Sequence, residues 1–161
     1  LVTATPAPTY TAYPTYTKAA TPTATPQPTE TPKPTATTEP KRSTFFKWTS
    51  IQAVHAFKNA GLEAQNPCSM TKEDYGMAPM LAVDATRFFL PSLCQDCGGR
   101  ALSFDSSADL ERTRDYYVEM GRASAIFFSW VFAKDNILVQ INGDLPEDKA
   151  RQYEEALQRL K

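Results

Sequence analysis

Between Ser124 and Gly143 the chain runs SAIFFSWVFAKDNILVQING, two apolar segments around a short polar centre. Asp135 and Asn136 both tolerate the positive φ of a tight hairpin, so a two-residue turn is expected there. That turn sets Phe132 opposite Val139 and Trp130 opposite Ile141. Phe128, Trp130, Phe132, Val139 and Ile141 then share one face and form the floor of a core. On the reverse face Val131 meets Gln140 and Ser129 meets Asn142, a mixed surface expected to be covered only in part. A three-residue loop would pair Trp130 with Gln140 and destroy the alternation.

Helical patterns flank this hairpin. Ser106 with Asp109 starts one, Leu110, Thr113, Tyr117 and Met120 form its inward stripe, and Gly121 closes it. Asp144 with Glu147 caps the other, which carries the stripe Ala150, Tyr153, Leu157 and Leu160 and tolerates Pro146 in its first turn. Both are expected to cover the Trp130 face. A third helix is expected from Trp48 to Gly61, with a capping box at Thr49 and Gln52. Its inward residues are Ile51, Ala53, Val54 and Phe57, and His55 lies at their edge as a packed or hydrogen-bonded residue.

Between the helices the pattern predicts a short strand at 62–65, an irregular stretch at 66–80, and a hairpin of 81–83 with 86–90 turning at Asp84 and Ala85. A further strand is expected at 100–104. The outcome is an α+β fold: a single domain with an antiparallel β-sheet and about three amphipathic helices packed mainly on one face.

Residues 1–43 are of another kind. The first 40 hold nine prolines and fourteen threonines, and with only Leu1 and Val2 aliphatic beyond alanine they cannot offset the entropy of ordering. They are read as a disordered Thr/Pro-rich linker with plausible O-glycosylation sites, leaving residues 44–161 as the domain. A formal net charge of −1 argues against nucleic acid as a partner. No apolar run in the sequence is long enough to cross a bilayer. A membrane role is expected only through a removed N-terminal anchor, and a monomer is expected.

Chemistry is concentrated in sulfur. Cys68 and Met77 with Met80 fall in one loop, Cys94 and Cys97 in the next. Three readings stand open: a disulfide joining two of Cys68, Cys94 and Cys97; thiol exchange at the Cys-x-x-Cys pair; and a soft metal site for copper or zinc using Cys68, Met77, Met80, Cys94 and Cys97, with His55 as a distant fourth ligand for zinc. Packing methionines are the simpler account of Met77 and Met80. Lys72, Glu73, Asp74 and Tyr75 suit an exposed turn. Arg87 and Arg100, on neighbouring strands, form an anion site if they share a face, or pair with Asp84 and Asp105 as ordinary sheet-surface charges. No phosphate-binding glycine loop or nucleophile elbow is present, so no catalytic residue and no cofactor are assigned.

The segments MTKEDYGMAP, ATRFFLPS, GGRALSFDSSADL, DYY and KDNILVQINGDLPEDKARQYEEAL give residues 48–161 a resemblance. The domain resembles a family of small, uncharacterised bacterial extracytoplasmic proteins, lipoprotein-like and carrying a similar Thr/Pro-rich stalk. The resemblance implies a secreted or cell-surface-tethered α+β domain; the cysteines stand outside the shared pattern. Gly76-Met77 and FDSSADL are also similar to copper-handling lipoproteins, which carry a cysteine where this chain has Tyr75. The expectation is a non-enzymatic, surface-tethered domain that binds or senses an envelope protein or ligand. The alternative is a thiol/disulfide or soft-metal protein.

Overall fold

The computed structural model describes residues 42–161. Apart from Arg42 and Ser43, the Thr/Pro-rich linker lies outside the described residues. Four α-helices surround a five-stranded sheet: α1 (Ser50–Asn59), β1 (Gln65–Ser69), α2 (Lys72–Tyr75), β2 (Asp84–Phe89), β3 (Gly98–Ser103), α3 (Ser107–Ala123), β4 (Ser129–Lys134), β5 (Ile137–Asn142) and α4 (Glu147–Gln158). Every pair in the sheet is antiparallel and the order is β1-β2-β3-β5-β4. This is the α+β domain with an antiparallel sheet that the hydrophobic periodicity predicts.

The β4–β5 hairpin has the expected register. Phe132 pairs with Val139, Trp130 with Ile141, Val131 with Gln140 and Ser129 with Asn142. Asp135 takes φ 50° at the turn, but Asn136 is more than a turn residue. It is wholly buried, and its Oδ1 accepts from the backbone N–H groups of Lys47 (3.0 Å) and Trp48 (2.8 Å) while its Nδ2 donates to the Trp48 carbonyl (2.8 Å). The side chain thereby ties the segment before α1 to the hairpin, with both its oxygen and its nitrogen bonded. Phe128 does not extend the strand. Residues Ala125–Phe127 form a 3₁₀ turn, which leaves Phe128 44% exposed, its ring meeting Trp130 edge-on at 5.1 Å.

Strands with alternating faces, both apolar near the centre, explain the layering. On one face Phe132, Ile137, Val139 and Ile141 pack against α1 and α4, with Ala53, Val54 and Phe57 from the first and Ala150, Tyr153, Ala156 and Leu157 from the second. On the other face Leu102, Phe104 and Leu138 pack against Leu110 and Tyr117 of α3. The expectation that α3 and α4 both cover the Trp130 face is therefore corrected for α3. Leu102 and Leu138 are paired neighbours, and their side chains give α3 an apolar seat on the reverse face as the chain crosses from β3 to edge strand β4.

Local signals hold where they are self-contained. Thr49 and Gln52 form their capping box on α1, and Gly61 follows with φ 77°. Ser106 caps α3 by accepting from the Asp109 N–H, although that helix runs past Gly121 to Ala123. Asp144 is not the α4 cap; Pro146 holds that position, and the Asp144 N–H instead donates to Asn142 Oδ1 at 2.8 Å. His55 is exposed on α1 rather than packed, because the buried stripe passes through Ser50, Ala53, Val54 and Phe57.

The strands before β3 differ from expectation. The one placed at 62–65 lies instead at Gln65–Ser69, an edge strand in which Asn66 has φ 44° and the register slips between Gln65 and Cys68. That irregularity accommodates Pro67 at an edge. Asp84 and Ala85 do not turn a hairpin; they begin β2, where Asp84 Oδ2 accepts the Ser50 N–H at 2.7 Å. A carboxylate at this first turn suits the positive end of the α1 dipole. The Lys72–Tyr75 segment, read as an exposed turn, forms a short helix that buries Tyr75.

Candidate functional site: a cleft on the half-covered face

In antiparallel sheets, residues directly opposite one another point to the same side. Cys68, Arg87, Arg100, Gln140 and Val131 follow one another in register across all five strands. All lie on the α3 side of the sheet. α3 crosses that side over Leu102, Phe104 and Leu138 and leaves the polar part of the row uncovered. The result is a cleft of about 490 Å³. Its floor is Arg100, Gln140, Ser129 and Asn142; its walls are the Tyr75–Ala78 loop, the C-terminal half of α3 and the turn Ala125–Phe128.

Backbone fit places the last wall. A side chain at Gly143 would run into the Phe128 carbonyl and stand 2.7 Å from its ring, so glycine there lets the turn close against the end of β5. Gly99 answers to the other face, the one under α1 and α4, where a Cβ would collide with the Phe88 ring and stand 2.8 Å from the Gln140 carbonyl oxygen.

The two arginines behave differently. Arg87 Nη1 donates to Asp74 Oδ1 at 3.1 Å, and its guanidinium lies 4.7 Å from the Phe89 ring centroid. Neither Asp84 nor Asp105 takes the partnership expected of them. Asp74 is committed on both sides, since its Oδ2 also accepts the Thr71 N–H at 2.7 Å. That backbone bond, followed by the Thr71 hydroxyl and then Arg87, holds the Asp74 carboxyl below its usual range. Arg100 instead reaches Tyr117, its Nη1 donating to the phenol oxygen at 3.4 Å.

Burial pushes the phenols of Tyr75 and Tyr117 above the ordinary tyrosine range, against the pull of Arg100. Both are therefore neutral hydroxyls at ordinary pH, suited to hydrogen bonding and not to proton abstraction. Ser129 Oγ lies enclosed at the edge of the floor without a hydrogen-bond partner. Around the mouth the surface is apolar: Met77 is 74% exposed, Ile126 83% and Phe127 50%.

The sulfur residues are not gathered here. Cys94 and Cys97 are joined in a disulfide and Cys68 is a free, exposed thiol, so no bridge ties the two loops through Cys68. Cys97 is buried and Cys94 exposed, and Asn142 Nδ2 lies 3.5 Å from Cys97 Sγ. Met77 stands on the cleft rim, and Met80 is exposed farther along the loop. Among the described residues no three His, Cys, Asp or Glu side chains come together as a metal site. His55 sits on α1, which packs on the other face from Cys68.

Tyr75, Tyr117 and Phe127 escape a reading of the sequence as site residues. Tyr117 belongs to an ordinary core stripe, and its hydroxyl reaches the cleft only because α3 crosses beside Arg100. The usable signal was the mixed pairing of Ser129, Val131, Gln140 and Asn142 on the reverse face of the hairpin.

Fold and site define a small α+β domain with an open cleft, polar at its floor and apolar at its rim. Comparison with protein families, curated proteins and solved structures finds no match for the chain.

Proposed function

We propose that the chain is a non-enzymatic, surface-tethered extracytoplasmic domain, and that it binds its cell-envelope partner in the cleft above Arg100 and Gln140. The observation that carries this reading is the cleft itself. Exposed Met77, Ile126 and Phe127 surround a concave floor of hydrogen-bonding groups. Small-ligand sites have this composition, apolar walls with a few placed polar groups, and volumes of about 300–1,000 Å³. Its titratable groups are Arg100, the phenols of Tyr75, Tyr116 and Tyr117, and Asp144 at the rim, a set that recognises better than it catalyses. The Thr/Pro-rich composition of the first 43 residues motivates the tether and the location.

Titration of the full chain with the neutral apolar dye Nile red tests the reading, with fluorescence as the readout. Phe127→Ser and Ile126→Asn alter only exposed side chains, so both variants are expected to keep the wild-type circular dichroism and to bind the dye about threefold or more weakly. Equal binding by wild type and both variants would overturn it.

The alternative of thiol/disulfide chemistry keeps one supporting observation, the Cys94–Cys97 bond with Cys94 exposed. Thiol counting with and without reductant, combined with metal analysis, separates it from the binding reading. A single reactive thiol in both conditions, with no bound copper or zinc, removes it.

A further inference from the structure

The cleft floor holds a cation that the fold leaves without a counter-charge. Arg100 stands directly opposite Arg87 in the β2–β3 ladder, and like charges in that position destabilise a sheet. Arg87 is compensated by Asp74. Among the described residues Arg100 has no carboxylate within ion-pair distance, and its one polar side-chain contact is the neutral Tyr117 hydroxyl. Asp144 lies on the cleft rim and Asp96 lines the small polar recess between the two arginines; neither forms an ion pair with it. Stability alone favours a neutral residue at this strand position. Breaking a local rule in the floor of a cleft is the mark of a position held for binding.

We propose that Arg100 is an anion subsite, and that the ligand of the cleft is a monoanionic carboxylate carrying an aryl or alkyl group. The proposal rests on the cleft being the binding site. A planar guanidinium presents two parallel N–H donors that match a carboxylate. Gln140, its register neighbour, and the Tyr117 hydroxyl supply further polar contacts beside it. A dianionic phosphate would require a second free cation, and Arg87 is already engaged by Asp74. The apolar part of the ligand meets Met77 and Phe127 on the walls. A free organic acid and the C-terminal carboxylate of a peptide both present this chemistry.

The test is a ¹⁵N–¹H correlation titration of the full chain with 3-phenylpropionate, its neutral amide, and N-acetyl-Ala-Ala-Phe bearing a free carboxylate. The acid is expected to bind about fivefold tighter than the amide, with shifts at Arg100, Gln140 and Ser129, and to weaken with added salt. Arg100→Gln removes that preference while leaving amide binding, and its dispersed spectrum shows it folded; Arg100→Lys restores part of the preference. Tighter binding of the peptide than of the acid supports a chain terminus as the source, and the reverse supports a free acid. Equal affinity for acid and amide within the cleft overturns the subsite and leaves the binding reading intact. No shift from any probe while Nile red still binds overturns the subsite alone, and loss of both overturns both.

Discussion

Alternate residues of the same strands build two faces that differ in how completely they are used. The face under α1 and α4 is closed: Phe57, Phe88 and Tyr153 form a ring cluster with centroids 5.2–6.3 Å apart. Its polar groups are mostly matched, with Ser50 and Thr86 hydroxyls bonded at 2.6 Å and the Tyr153 hydroxyl donating to the Glu63 carbonyl at 2.6 Å; the buried Ser103 hydroxyl is the exception. The face under α3 is closed over Leu102, Phe104 and Leu138 only. Beside them stand Arg100, Gln140 and Asn142, open to a cleft with an apolar rim. One helix spans less of a sheet than two, so the α3 side is covered only in part and leaves a polar floor open beside its smaller core.

The largest effect follows from opening the closed face. Phe57→Ala removes a fully buried ring and is expected to cost about 3–5 kcal/mol in urea denaturation. A cost near zero would break the comparison at its base. The second effect is on pH. Burial first, then the neighbouring Glu63, raises the Tyr153 phenol from 10.0 to about 12. The neutral form is favoured in the fold, so this stability is complete below pH 10 and is lost as pH rises through 10 to 12. The steepest loss is about 1.4 kcal/mol per pH unit. Denaturation midpoints across that window are expected to fall faster for the wild type than for Tyr153→Phe.

On the open face the effects are smaller and of another kind. Gly143→Ala forces the Phe128 wall away from the end of β5 and is expected to cost about 1–3 kcal/mol. It is also expected to weaken Nile red binding, which Phe57→Ala in its folded fraction is not. Smallest in stability is Arg100→Gln, expected within about 0.5 kcal/mol of wild type, because it removes a like-charge pairing and no ion pair. A large destabilisation there would show that Arg100 serves the fold and would break the contrast between the faces.

Much of the fold was legible in the residues, unevenly along the chain. Asp135 and the alternation about it fixed every pairing of β4 with β5, and the Thr49–Gln52 and Ser106–Asp109 spacings placed two helix starts. The Asp84–Ala85 pair misled, because a polar residue between β-rich segments resembles a turn unless its distant partner, the Ser50 N–H, is known. Ser124–Phe128 misled in the opposite sense: apolar density suggested strand where a 3₁₀ turn directly after α3 forms the cleft wall.

The candidate site was legible in one half. The mixed surface of Ser129, Gln140 and Asn142 marked the floor, and the two arginines were visible as an anion site conditional on a shared face. Their shared face, the capture of Arg87 by Asp74 and the freedom of Arg100 depend on β2 pairing with β3 and on a four-residue helix delivering the carboxylate. The sequence by itself determined what is set within a few residues: caps, turn chemistry and the period-two register of the hairpin. Only the tertiary structure decided which face each helix covers and which charge goes unpaired, because those outcomes depend on groups brought together from distant parts of the chain.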